Sequence, residues 1–275
     1  MSGIGEVFAR CAAERRAAFI PFIMAGDPSL AATADQLAAL AAGGADIIEL
    51  GVPFSDPMAD GPVNQRAATR ALAAGTRLSA ILELIARHRD QLGVPLVLYT
   101  YFNPLYARGL DRFAEQAATS GVDGILCVDL PPEEAAADFI PALRERGVDT
   151  IFLLAPTSTR DRIARVAEVS SGFAYYVSRT GVTGERDALP PGLVRDVKRL
   201  RRRLDLPLAV GFGISSPEQV AALGEVADAV VVGSHLVRLV EQLGEDPALP
   251  ARLEQRVREL AAPLQPSLAG ARVAR

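Results

Sequence analysis

The chain has 275 residues, 49% of them hydrophobic, and at about 150 residues per domain this suits either two small domains or one closed α/β barrel of about 200–250 residues, with core enough to need no staple. Its formal charge of −4, from 29 basic and 33 acidic side chains, removes the basic field that non-specific nucleic-acid binding needs, and there is no run of about 18 apolar residues to span a membrane. Cys11 and Cys127 lie far apart with no CxxC, which excludes a disulfide framework and a local zinc knuckle and predicts a reducing, cytoplasmic location.

Arg10, Arg15 and Arg16 ahead of residues 17–26 imitate a signal peptide, but Glu6 and Glu14 stand among the arginines and Pro21 splits the apolar stretch, which reads as a strand. Short apolar, β-branched runs then recur at 19–24, 46–50, 96–99, 124–128, 150–154, 173–177, 208–210 and 229–232. Helical spacing fills the intervals at 30–42, 78–92, 110–120, 132–146, 160–169, 193–204, 217–223 and 236–242. A glycine stop leads straight into the next strand at 43–46, 121–123 and 147–149. Strands that are continuously hydrophobic, not alternating, predict a parallel sheet covered on both faces. Eight βα units predict an α/β fold, a single (β/α)8 TIM barrel over residues 1–264, with a doubly wound open sheet as the alternative. Residues 265–275, rich in small side chains and without periodicity, read as a flexible C-terminal tail. Residues 51 to about 75 read as one long connection at the rim where barrel enzymes carry their chemistry.

Two scarcities narrow that chemistry. The single lysine, Lys198, lies in the basic run RDVKRLRRR (195–203), which reads as a solvated helix face, so no Schiff-base nucleophile is available. Two histidines, His88 and His235, cannot make a multi-histidine metal centre. Carboxylates and backbone remain. Glu49 ends the second strand in IIELG, on the same side as Ile47 and at the catalytic rim, where position alone equally allows a salt-bridged rim glutamate. The loop GVPFSDPMADGP (51–62) carries Asp56 and Asp60. Its prolines pre-set the backbone so that one acid can return over the barrel mouth, while Asp56 reads as a brace of the turn. Two carboxylates in one dry pocket can have their pKa values pushed apart, giving a proton shuttle and a persistent anion.

After the seventh strand comes Gly211-Phe212-Gly213-Ile214-Ser215, and after the eighth Gly233-Ser234, each leading into a helix. These positions suit phosphate, because glycine admits close backbone approach and a helix N-terminus presents free N–H groups; ordinary turn glycines are the alternative. Residues 181–184 (GVTG) have the composition of a lid, or of a plain exposed connection. The apolar side chains of 53–58 beside the mouth mark either an interface or a Phe54 folded back over the barrel.

IPFIMAGDP (20–28), ELGVPFSDPMADGP (49–62), SRTGVTG (178–184) and GFGISSPEQV (211–220) resemble, in order and at the expected intervals, the alpha subunit of tryptophan synthase. The likeness runs to about Leu264. It implies a barrel lyase of tryptophan biosynthesis that cleaves indole-3-glycerol phosphate to indole and glyceraldehyde 3-phosphate. It also implies an α2β2 heterotetramer in which indole passes to a beta subunit. The resemblance implies no cofactor or metal in this chain, with pyridoxal phosphate in the beta subunit. By motif matching it assigns Glu49 as acid and base and Asp60 to the indole N–H. Phe22, Tyr101, Tyr175 and Phe212 would line the indole and glycerol pocket. Thr183 would bridge the lid to Asp60, and Gly184, Gly213, Gly233 and Ser234 would hold the phosphate. Pro53, Phe54 and Asp56 would face the partner. Two residues depart from the pattern: His235 follows the phosphate-binding Gly-Ser where a small residue is usual, and Tyr99 is bulkier than expected. Another phosphate-binding barrel enzyme, such as indole-glycerol-phosphate synthase or a pentose-phosphate epimerase, would need the lysine or metal ligands this chain lacks. A non-catalytic regulatory barrel would leave both carboxylates unnecessary.

Overall fold

The computed structural model describes residues 2–177, 189–211 and 213–265. Eight strands, β1 (Ala18–Met24), β2 (Ile48–Gly51), β3 (Leu96–Thr100), β4 (Gly124–Cys127), β5 (Asp149–Leu154), β6 (Ala174–Val177), β7 (Leu208–Gly211) and β8 (Ala229–Val232), form a closed barrel in chain order. Every pairing is parallel, and β8 returns to β1 in the register Ala18↔Ala229. The strands lack alternation because both faces are dry. Ile20, Phe22, Ile47, Val97, Leu126, Ile151 and Val231 fill the barrel, whereas their neighbours Phe19, Ile23, Ile48, Leu50 and Leu98 pack outward against the helices.

The helices are α1 (Gly3–Ala13), α2 (Leu30–Ala42), α3 (Pro62–Ala73), α4 (Leu78–Leu92), α5 (Phe102–Tyr106), α6 (Leu110–Ser120), α7 (Pro132–Ala135), α8 (Phe139–Arg144), α9 (Arg160–Val169), α10 (Leu193–Arg201), α11 (Pro217–Gly224), α12 (Ser234–Leu243) and α13 (Leu249–Ala261). Four features differ from the sequence reading. The connection 51–75 contains α3, whose buried face is Val63, Ala67, Ala68 and Ala71; alanines pack closely there without the long apolar side chains that announce a helix. The predicted helix 132–146 is two short helices, since residues 136–138 leave the helical ladder. The N-terminal arginines belong partly to α1, which puts Ile4, Val7, Phe8 and Cys11 into the barrel's inner core and sets Phe8 5.7 Å from Phe173. The predicted helix 236–242 starts at Ser234, and α13 follows it. Of the predicted tail, only Gln265 lies within the described residues. Lys198 is exposed, as a solvated face requires.

The end of the barrel near α1 is held by one arrangement used four times. Asp46, Asp123 and Asp228 each donate their backbone N–H to the carbonyl of an entering residue of the preceding strand, Phe19, Leu96 and Leu208, at 2.9, 2.9 and 3.0 Å. The same side chains then accept that residue's N–H at 2.9, 2.8 and 3.0 Å. Ser171 closes the same ring on Thr150, its Oγ accepting at 2.9 Å. An arginine covers each aspartate: Arg16 on Asp46 at 2.7 Å, Arg89 on Asp123 at 3.0 Å and Arg201 on Asp228 at 2.6 Å. The punctuation at 43–46 and 121–123 thus sets register between β1 and β2 and between β3 and β4, and Asp228, which no glycine stop announces, does the same for β7 and β8. Burial alone would raise the Asp46 carboxyl, but hydrogen bonds from Arg16 and the Phe19 N–H outweigh it and hold its pKa below 3.8.

Candidate active site

At the opposite end Phe22, Glu49, Asn64, Tyr99, Tyr175, Gly213, Val231, Gly233 and Ser234 surround a cavity of about 380 Å³, its open mouth included. Strand register builds the wall, because Phe22 stands beside Glu49 and Tyr99 beside Gly51 across neighbouring strands. Phe22 and Tyr99 meet edge to face at 5.3 Å. A Cβ at Gly211 would lie 2.2 Å from the Tyr175 hydroxyl, so only glycine there leaves Tyr175 its place.

Glu49 is 2% exposed and its Oε1 has no hydrogen-bond partner among the described residues. Its environment is aromatic, so this is not the salt-bridged rim glutamate that position alone allowed. Desolvation, with the charge of Asp60 adding to it, pushes its pKa up to about 8. A carboxylic acid in that state holds a proton at neutral pH and releases it readily.

Asp60 is also buried, yet well supplied with donors. The Tyr101 hydroxyl donates to Oδ2 at 2.9 Å, the Tyr99 hydroxyl to Oδ1 at 3.2 Å and Asn64 Nδ2 to Oδ1 at 3.3 Å. Desolvation raises the Asp60 pKa, and these three bonds oppose it. Burial holds the Tyr99 hydroxyl well above its ordinary value, and burial together with Asp60 raises that of Tyr101, so both phenols stay protonated donors. The loop reaches back because Gly61 ends it and Pro62 starts α3, whose Gln65 holds the Asp60 carbonyl at 2.9 Å. The two carboxyls thus have contrasting settings, one apolar and one hydrogen-bonded.

Opposite the acids, Gly233 precedes α12 with no side-chain cap, and Ser234 is the first helical residue. Gly213 adopts φ +79°, a left-handed conformation. The uncapped helix end and this glycine border the cavity and can take an anion through backbone N–H groups.

The expected residues Phe22, Glu49, Tyr175, Gly213, Gly233 and Ser234 therefore share one cavity. Asp60 and Tyr101 stand beside it, joined through Tyr99 and Asn64. Thr183, Gly184 and Phe212 lie outside the described residues. Pro53 is buried, Phe54 stacks on Tyr101 at 5.1 Å, and Asp56 is exposed, accepting from Ser55 at 3.0 Å. The Phe54 ring is thus folded back against the barrel, and Met58, 88% exposed, is the apolar side chain of this loop left outward. Sequence reasoning passed over Asn64, and noted Tyr99 only for its size. It also missed a charge network behind the site. Arg70 of α3 grips Asp27 after β1 at 2.8 and 2.7 Å and Glu241 of α12 at 2.7 Å, while Arg66 holds Glu241 at 2.7 Å. Hydrogen bonds from Arg66 lead those that hold the Glu241 carboxyl at a pKa of about 2.

The family model described as "Tryptophan synthase alpha chain" matches residues 8–265. A tryptophan synthase alpha chain of Solibacter usitatus is 52% identical over 260 residues, covering 94% of this chain and 97% of its own. One from Burkholderia mallei is 50% identical over 273 residues, covering 98% of each. Among solved structures, Mycobacterium tuberculosis tryptophan synthase superposes with a TM-score of 0.86 at 39% identity, over 96% of this chain and 98% of that one. Tryptophan synthase subunit alpha from Legionella pneumophila gives 0.88 at 35%, over 96% and 98%.

Proposed function

We propose, from the premise that this chain belongs to the tryptophan synthase alpha chain family, that Glu49 and Asp60 together cleave indole-3-glycerol phosphate. The family is the lyase component of tryptophan synthase. It releases indole and glyceraldehyde 3-phosphate and forms a complex with a beta subunit that carries pyridoxal phosphate, the alpha chain using no cofactor.

In our reading Glu49 delivers its proton to the indole carbon that bears the glycerol chain. The ring nitrogen becomes cationic, and the Asp60 carboxylate, held by Tyr99, Tyr101 and Asn64, stabilises that charge while accepting the N–H. Glu49, now a carboxylate, takes the proton from the hydroxyl on the adjacent glycerol carbon. The carbon–carbon bond breaks, its electron pair returns to the ring to regenerate neutral indole, and the former carbinol leaves as the aldehyde. Glu49 ends protonated as it began. The phosphate rests on Gly213, Gly233 and Ser234, with Thr183, Gly184 and Phe212 completing the site. The loop of Pro53, Phe54 and Asp56 meets the beta subunit of a cytoplasmic α2β2 heterotetramer, with Asp56 presented outward and Phe54 seated on Tyr101. Residues 1–264 act as one domain.

The observation that supports this reading is the Glu49 carboxyl, buried in the same cavity wall as Tyr99, its Oε1 without a hydrogen-bond partner among the described residues and its pKa raised to about 8. Indole release by the purified chain tests it. Glu49→Gln keeps the shape and removes the proton shuttle, and we expect a loss beyond the roughly 10²–10⁴ of a single acid–base step. A variant with a tenth of normal turnover overturns the assignment.

A further inference from the structure

Behind the proposed phosphate loops, one guanidinium touches both. Arg256, on α13, donates from Nε to His235 Nε2 at 2.8 Å and from a terminal nitrogen to the Ser215 carbonyl at 2.9 Å, while its other terminal nitrogen meets Glu259 at 2.9 Å. Ser215 lies two residues after Gly213, and His235 directly follows Ser234. The contacts therefore join the loop after β7 to the start of α12 through residues that do not line the cavity. Arginine is a donor only, so His235 Nε2 is the acceptor of this bond. A short side chain at residue 235 could not make the bond.

The local bonds of the Gly213 loop run to its own helix, the Ser215 N–H donating to Gln219 Oε1 at 2.8 Å, and do not reach α12. The φ of +79° at Gly213 belongs to a glycine, and the α11 N-terminus beyond it is already occupied by its own capping box of Ser216 and Gln219. Backbone N–H groups recognise an anion only when their directions are fixed together, and two separate loops have no covalent reason to hold one relative position.

We propose that Arg256 is a positioning residue for phosphate recognition, fixing the Gly213 and Ser234 loops in one geometry through Ser215 and His235, with His235 serving as its acceptor. The proposal rests on the phosphate assignment given above. Arg256 touches no reacting atom, so it acts on the binding of the phosphoryl group and leaves the chemical step alone.

The test uses the full chain with sn-glycerol 3-phosphate and inorganic phosphate as competitive inhibitors of indole release. Arg256→Met and His235→Leu should each raise the inhibition constant of glycerol phosphate and the KM of substrate about five- to tenfold, the worth of one ordinary hydrogen bond, with kcat within twofold. His235→Gln, which restores an acceptor oxygen, should stay within about threefold of the wild type. The double variant Arg256→Met/His235→Leu should be no weaker than either single one, because both remove the same link. A fall in kcat at unchanged KM, additive single effects, or unchanged inhibition in both Arg256→Met and His235→Leu overturns the proposal. Gly213→Val separates the two ideas. Lost inhibition there with unchanged inhibition in Arg256→Met rejects the brace alone, and unchanged inhibition in Gly213→Val rejects the phosphate site and the brace with it.

Discussion

The Tyr99 hydroxyl donates to Asp60 Oδ1 at 3.2 Å across a sequence separation of 39 residues, and the same ring packs edge-on against Phe22 beside Glu49. One side chain thus touches the anion and lines the wall that desolvates the acid. Tyr99→Phe removes a donor from the charged form of Asp60 without opening the cavity, so the Asp60 pKa rises further. Activity that needs the anion should then fail at higher pH on its acidic side, with kcat/KM down about three- to tenfold at neutrality. Tyr101→Phe, which loses the shorter bond of 2.9 Å, should move the limb further. An unmoved acidic limb of the pH profile in both variants excludes the phenols as supports of Asp60.

Glu49 has a thermodynamic cost that can be read directly. Its folded pKa of about 8 lies above its ordinary 4.5, so the folded chain binds the proton more tightly. Stability is full below pH 4.5 and is lost as pH rises towards 8. Between pH 5 and pH 8 the loss is about 3 kcal/mol by linkage. Glu49→Gln does not titrate, so its stability relative to the wild type should climb by about that amount over the same range in denaturant melts. A difference that does not vary with pH contradicts the raised value.

Asp46 behaves in the opposite sense. Its folded pKa lies below 3.8, so its contribution is present above that value and is lost as pH falls through the folded one. Asp46→Ala leaves the Phe19 N–H without its side-chain acceptor and the Arg16 side chain, 10% exposed, with only Glu14 and the Ala17 carbonyl. Chemical denaturation at neutral pH should show a loss of about 1–3 kcal/mol, with the KM of the folded fraction unchanged because the site lies at the far end of the barrel.

Phosphate recognition through backbone predicts unequal effects. Ser234→Ala should raise KM about two- to tenfold, whereas Gly213→Val, a β-branched residue forced to φ +79°, should obstruct binding outright. Inhibition by glycerol phosphate measures both, and equal affinity in wild type and Gly213→Val places the phosphate elsewhere.

Phe54 stacks on Tyr101, and Tyr101 bonds Asp60, so the proposed partner loop is two contacts from the anion. Beta subunit docking should therefore raise kcat by ordering Asp60 without adding a catalytic group. Phe54→Ala or Asp56→Ala should weaken that activation more than the rate of the chain alone. Titration of each variant with beta subunit checks this, and activation equal to the wild type excludes the loop from the coupling.

The barrel was legible because its signals are local: apolar runs, glycine stops and helix spacing repeat within a few dozen residues. That Glu49 and Asp60 lie at one end of the barrel was legible from motif and position. The helix α3 was not, since Ala67, Ala68 and Ala71 bury a face too small to register as an apolar stripe. Nor were Tyr99 as a donor and Arg256 as a brace, because each meets its partner only after the chain has closed, 39 and 21 residues away. Asp46 and Asp123 stood out only as punctuation and Asp228 not at all, because their hydrogen bonds run to a different strand.

Those four closed rings lie at the end of the barrel away from the cavity, where they pin alternate strand pairings by bonds that involve none of the cavity-lining residues. The loops at the cavity end thereby carry a smaller share of the work of holding the barrel closed. Segments at that rim can be lengthened, exchanged with those of a relative or re-selected for another phosphorylated substrate, and the scaffold beneath them should accept the change without being redesigned.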